Sequence, residues 1–364
     1  IAHTAMAGIT FMVVCSLYPK VTAGEYPSFT LAEVMPGVAL EWTIEPLGML
    51  FALVASGLWI PTSVYAFGYM RGHHEQNQTR FFTCFALAIS FALGVAFSGN
   101  LFTLFAFYEA LTFSTFPLVT HHQDAAAKRS GRIYIGILVG TSVCLLLTGI
   151  LYTYHLTDGN LNFTQGGILG GIDDQWTIGI LLALFAFGTG KAALIPFHKW
   201  LPNAMVAPTP VSALLHAVAV VKAGVFTVLK VVIYIFGFDV LSGGANGWLM
   251  AIAGTTILFA SCVALTKDNL KARLAYSTIS QLAYIVLGAA FANPVAALGA
   301  GMHIVMHAVG KITLFFCAGA IMVGAHKKYI SQLDGLGRLM PWTMGAFTIG
   351  SLSIIGLPPF GGVW

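Results

Sequence analysis

Seven side chains able to exchange protons stand inside long apolar runs where little else is charged: Glu109, Lys191, His216, Lys222, His303, His307 and Lys311. Each charge near a bilayer centre costs about 2.5–3.5 kcal/mol on insertion scales, so a chain sparing with charge keeps it there for a purpose. Carboxylate, amine and imidazole share one chemistry that needs no cofactor, proton transfer. Glu109 lies midway along its run and Lys191 well inside another. A carboxylate about 4 Å from an ammonium favours the charged amine by about 4 kcal/mol at an effective dielectric of 20. Desolvation favours the neutral amine. Moving Glu109 toward or away from Lys191 would therefore load or unload one proton. His303, His307 and Lys311 are spaced i, i+4, i+8 and share one stripe of a helix. Lys222 follows His216 by six positions, about 9 Å of helical rise, so a relay between them needs water. The bland reading of these charges is a set of buried pairs that pin helices together. Lys230, near the end of its run, reads as a lysine that snorkels to the interface.

The elements that must hold such residues follow from composition. Of 364 residues, 57% are hydrophobic and 8% charged, against about a quarter charged in a soluble domain. That is an integral membrane protein. Disorder requires low hydrophobicity, and a net charge of +4 is too thinly spread for a nucleic-acid-binding face. The 5 cysteines sit inside apolar runs with no CxxC spacing and read as small buried hydrophobes. Apolar segments fall at roughly 1–18, 45–70, 81–98, 100–119, 132–154, 176–197, 211–236, 247–266, 274–291, 295–324 and 341–364. At about 20 residues per span, and with alternating strands absent, they predict an all-α polytopic bundle of about eleven spans.

Loop charge checks that count. Arg71 and Arg80; Lys128, Arg129 and Arg132; Lys199; Lys267, Lys271 and Arg273; and Lys327, Lys328 and Arg338 occupy alternate connections. The others hold Lys20 alone among basic residues, with Glu25, Glu33, Glu41, Glu45, Asp158, Asp173, Asp174 and Asp239. The positive-inside rule places the basic side in the cytoplasm. Residues 1–364 read as one transmembrane transporter domain, with a helix expected before Ile1 and further helices after Trp364. Two segments are broken, at Gly188-Thr-Gly-Lys-Ala-Ala-Leu-Ile-Pro196 and at Gly356-Leu-Pro-Pro-Phe360. Paired interruptions point to inverted repeats with discontinuous helices. His73, His74, His121 and His122 read as solvated loop residues. Gly190-Lys191-Ala192 lacks the rest of a Walker A loop, and His303-x3-His307 lacks the glutamate of a zincin, so no nucleotide, cofactor or metal site is expected.

The stretch GKAALIPFHKWLPNAMVAPTPVSALLHAVAVVKAGVFTVLK, Gly190 to Lys230, resembles the signature of the antiporter-like subunits shared by respiratory complex I, Mrp-type cation/proton antiporters and energy-converting membrane hydrogenases. Lys271-Ala-Arg-Leu-Ala-Tyr-Ser-Thr-Ile-Ser-Gln281, the run from His307 to Ala320 and Gly356-Leu-Pro-Pro-Phe-Gly-Gly362 extend the resemblance from about residue 45 to the end. It implies that Glu109 and Lys191 are a coupled pair, that His216 and Lys311 match the family's histidine and lysine, and that His303 and His307 line a hydrated route. In Lys222 the chain is closer to the middle complex I subunits and to the D-type component of Mrp antiporters. The family's terminal Lys or Glu would follow Trp364. The expected function is proton translocation as one component of a redox-driven complex of NADH-quinone oxidoreductase or hydrogenase type. The rivals are a component of a Mrp-type Na+/H+ antiporter and a non-transporting scaffold. Expected partners are other membrane subunits, lipid and protons, with Na+ as the further ion of the antiporter rival. The expected location is an energy-transducing membrane, a bacterial or archaeal inner membrane.

Overall fold

The computed structural model describes residues 2–363. Every apolar run forms a helix. In chain order these are α1 (Ala2–Thr22), α2 (Pro46–Gly72), α3 (Gln78–Ala96), α4 (Leu101–Val119), α5 (Ala125–Leu156), α6 (Gln175–Gly188), α7 (Thr209–Phe236), α8 (Gly247–Thr266), α9 (Leu270–Ala290), α10 (Pro294–Ala325) and α11 (Pro341–Ile355). The protein is a multi-pass membrane helix bundle. Among the described residues, 8 helices are long and apolar enough to cross a bilayer, by length and composition alone. The exceptions have distinct causes. Helix α6 has 14 residues and α11 has 15, each cut short at a break. Helix α9 is long enough but carries Arg273, Ser277, Thr278, Ser280 and Gln281.

Starts and stops follow local chemistry. Asn100, Asp124, Asp174, Asn269 and Asn293 each cap a helix by accepting from a backbone N–H of its first turn. Glu45 does the same for α2, and Pro46, which has no N–H to leave unsatisfied, takes the next position. Helix α6 ends at Gly188, and the chain passes through a short 3-10 turn at Gly190–Ala192 and a left-handed Ala193 (φ 55°). Helix α11 stops at Gly356 (φ 81°). Both predicted interruptions are therefore real. Helix α7 contains two wide π-type turns, Leu214–Val218 and Val232–Phe236, and α5 contains one at Ser142–Leu146.

Strands were not expected, and residues 28–43 correct that. Ser28–Met35 (β1) and Val38–Thr43 (β2) form an antiparallel hairpin beyond the membrane-crossing helices. It is anchored where Thr43 N donates to Phe97 O at 2.7 Å and Asn100 Nδ2 to Ala39 O at 2.7 Å.

The sorting of charge predicted from the loops is a property of the fold. Basic connections are tied together: Arg80 Nη2 donates to His121 O at 3.0 Å, and Leu270 N to Lys328 O at 3.1 Å. Acidic connections are tied likewise, with Leu101 N on Leu161 O at 3.0 Å and Thr164 N on Tyr234 O at 3.2 Å. The bundle thus has a basic face and an acidic face. Helix α7 is its axis, 89% buried over its most apolar window, against 17% for α1 at the rim.

Candidate functional site

Lys191 is fully buried on the 3-10 turn that interrupts α6. Its Nζ donates to Tyr108 O at 2.8 Å and to Thr112 Oγ1 at 2.6 Å, and lies 3.2 Å from the Tyr108 ring centroid. Tyr108 Oη in turn accepts from Lys191 N at 3.1 Å, so one tyrosine grips the lysine at both ends. Gly224 of α7 permits this: a Cβ there would lie 2.4 Å from Lys191 C and from Ala192 N.

Glu109 is next to Tyr108, but it does not pair with Lys191. Both its carboxylate oxygens are buried without a hydrogen-bond partner, and no cation lies within the 4.0 Å of an ion pair. This conformation is the unpaired one, in which Lys191 reaches the carbonyl and hydroxyl of α4, on Tyr108 and Thr112.

Deeper in the bundle, Lys222 Nζ and His307 Nδ1 are in direct hydrogen-bond contact, both side chains fully enclosed. His307 stacks on His303, with ring centroids 6.1 Å apart, and His303 Nε2 meets Gln281 Oε1 at 2.8 Å. Lys311, on the same stripe of α10, turns to α9, where Ser277 Oγ accepts at 2.8 Å. His216 packs on the Phe315 ring at 4.8 Å and has no partner on either ring nitrogen. The sequence-nominated groups thus gather around α7. Lys222, His307 and His303 touch in a chain, while Lys191, His216 and Lys311 stand apart from it.

Two loop readings need correction. Lys230 does not snorkel: it is fully buried, with Nζ 3.0 Å from Glu45 Oε1 and donating to Ser98 O at 2.8 Å. Tyr234 Oη donates to Glu45 Oε2 at 3.0 Å. His121 is buried, not solvated, and approaches Glu75 at 3.7 Å. Burial holds its imidazole down to about 4, helped by His122 and Arg80, so it is neutral at neutral pH. Sequence reasoning missed Tyr108, Thr112, Gln281 and Ser277 because neutral side chains stand out from a membrane helix only once a charge is seen to reach them.

A cavity of about 620 Å³ opens on the basic face, lined by Tyr69, Glu75, Thr209, Lys271 and Lys328 among others. A smaller one of about 240 Å³ opens on the acidic face over Glu45, Ser98, Phe163 and Tyr234. Among the described residues no three His, Cys, Asp or Glu side chains converge as a metal site.

Charge confined to two faces, a broken helix carrying a lysine, and titratable groups enclosed around a central helix define a membrane protein of the ion-transporter type. Residues 98–364 match the NADH:quinone oxidoreductase/Mrp antiporter transmembrane family, and the chain belongs to it. The A/B component of a probable K(+)/H(+) antiporter of Rhizobium meliloti is 33% identical over 98% of this chain and 35% of its own length. NADH-quinone oxidoreductase subunit N of Desulforudis audaxviator is 34% identical over 89% of this chain and 64% of its own. A chain of the membrane-bound sulfane sulfur reductase, an archaeal respiratory membrane complex, superposes with a TM-score of 0.87 at 25% identity, covering 100% of this chain and 74% of that one. The chain therefore spans less than two thirds of the length of these curated relatives.

Proposed function

We propose that this chain moves protons across an energy-transducing membrane, as the antiporter-like subunit of a multisubunit redox-driven complex, with its basic face in the cytoplasm. The observation that carries the reading is the enclosed contact of Lys222 with His307, extended by His303 and flanked by Lys191, His216 and Lys311. An amine against an imidazole holds one proton between two sites at little cost in geometry. Lys191 is the proton-loading group of the first half. Glu109 biases it through space and through the Tyr108–Thr112 segment, which carries Glu109 and binds the lysine. The driving energy comes from a partner subunit. The relatives include NADH-quinone oxidoreductase subunits and a sulfane sulfur reductase chain, which supports a redox partner and a bacterial or archaeal inner membrane.

The test is Lys191→Met in the assembled complex, reconstituted in sealed vesicles. Proton pumping should fall to the leak level while assembly on a native gel is preserved. Near-normal pumping by Lys191→Met and by Glu109→Gln would sink the reading. A second reading, cation/proton exchange driven by the ion gradient alone, is favoured by the relative described as part of a K(+)/H(+) antiporter. Proton movement driven by an imposed Na+ or K+ gradient, with no electron donor, would select it.

A further inference from the structure

Tyr69 and Thr209 line the basic-face cavity, and their hydroxyls meet at 3.4 Å. One turn deeper, α2 carries Tyr65, four residues before Tyr69. On α7, Ser212 follows Thr209 by three and His216 follows Ser212 by four, which keeps them on one side of the helix. Tyr65 Oη, Ser212 Oγ and both nitrogens of His216 are buried and lack a protein partner. Three such side chains in succession are unusual, because buried polar groups are nearly always satisfied. Left dry, each forfeits the hydrogen bonds it would make with water. Several buried serines in the bundle bond back to their own helix, as Ser56 does to Ala52 O and Ser142 to Leu138 O. Ser212 does not. The hydroxyl is free to hold water.

The opposite wall is apolar and closely fitted. Tyr65 lies flat on Phe316 at 4.1 Å, and His216 packs at a tilt on Phe315 at 4.8 Å. Gly319 faces Tyr65: a Cβ at that position would stand 1.7 Å from Tyr65 Oη and 2.9 Å from Thr209 Cγ2. The tyrosine hydroxyl occupies the space that any other residue at 319 would fill.

We propose that Tyr65, Ser212 and the side-chain-free surface of Gly319 form the gate through which protons pass from the basic-face cavity to His216. The inference rests on the proton-translocation reading and deepens it by assigning the entry to α2 and α7 and not to the broken helix of Lys191. Each hydroxyl takes one proton from the cavity side and gives another inward, ending neutral. His216 accepts the proton on a ring nitrogen and passes it through water toward Lys222 and His307. The ring of Tyr65 packs on Phe316 and Tyr69 while its hydroxyl has no hydrogen bond to hold it, so a small rotation carries that hydroxyl into or out of the file.

The assembled complex in sealed vesicles with the basic face outward is the sample. Ser212→Cys is exposed to a membrane-impermeant methanethiosulfonate, with the unsubstituted complex as control for Cys317 and Lys328→Cys as a control for cavity labelling. Position 212 should react, and adding Gly319→Ala should slow the reaction by about tenfold or more, as an added barrier in the file requires. Ser212→Ala and Tyr65→Phe, both close to isosteric, should each slow proton uptake by about tenfold. They carry the test if Gly319→Ala fails to assemble. Normal uptake in both variants, or an unreactive position 212 beside a reactive position 328, overturns the gate while leaving proton translocation standing. Absence of uptake by the unsubstituted complex overturns proton translocation itself, and the proton gate with it.

Discussion

Lys230 is held at zero exposure between the end of α3 and the start of α2, 3.0 Å from Glu45 Oε1 and 2.8 Å from Ser98 O. Each partner also answers a helix dipole, since Glu45 caps the start of α2 and the lysine faces carbonyls just past the end of α3. Removing one member of a buried pair leaves the other charge without compensation, at about 3–5 kcal/mol, whereas removing both is often nearly neutral. Glu45→Gln and Lys230→Met should therefore each lower the thermal midpoint of the detergent-solubilised protein, and the double variant should recover much of the loss. Strictly additive losses would show that the two groups are not energetically coupled. The sequence could not reveal this pair. Lys230 was visible as a lysine near a helix end, but its partner lies far away in the chain, in a connection where acidic residues are expected. Lys191 and Glu109 present the opposite case. Their residue types stood out in the sequence, while the hold of Tyr108 O and Thr112 Oγ1 on the ammonium did not.

At the scale of elements, the break after Gly188 sets the depth of Lys191, and α7 must pass close enough to support it. Gly224 makes that approach possible, with the backbone of the 3-10 turn occupying the space of a side chain. Gly224→Ala would force the turn and its lysine away, an overpacking cost of about 1–3 kcal/mol. The expected result is a lower thermal midpoint together with proton transport reduced more than assembly is. Unaltered transport would show that the position of Lys191 tolerates the shift. Breaks of this kind are legible in sequence because Gly and Pro punctuate helices by their own backbone chemistry. The wide turn at Leu214–Val218, which sets the direction of His216, is not. No residue type demands it, and packing against α10 supplies the reason. The hairpin of β1 and β2 escaped notice for another cause. All eight residues of β1 are exposed, so no buried face imposes the alternation by which strands are read.

For the whole molecule, the distribution of charge was legible almost in full, since topology is written in loop composition. The register between helices was not. That Lys222 meets His307, and not His303 or Lys311, depends on how deep α10 sits beside α7, and no spacing within either helix fixes that. The basic face also gives the fold a direction in its response to acid. His121 is held down to about 4 by burial first, then by His122 and Arg80, while in an unfolded chain it titrates near 6.5. Between those values the unfolded chain binds a proton that the folded one refuses, so stability falls as pH is lowered through this window. Asp268 acts lower still. Its carboxylate is kept below its ordinary range by hydrogen bonds from Ser331 N and Ser331 Oγ, so its contribution is present above about 4 and fades as pH drops further. His121→Asn removes the first effect and keeps a polar side chain of similar reach beside Phe81. Thermal midpoints measured from pH 7 to pH 4 should decline less steeply in the variant than in the parent, and the two curves should run parallel below that range. Parallel curves across the whole range would mean that His121 is free to protonate in the folded protein, by opening of the loop between α4 and α5, and that the basic face is less tightly closed than its packing implies.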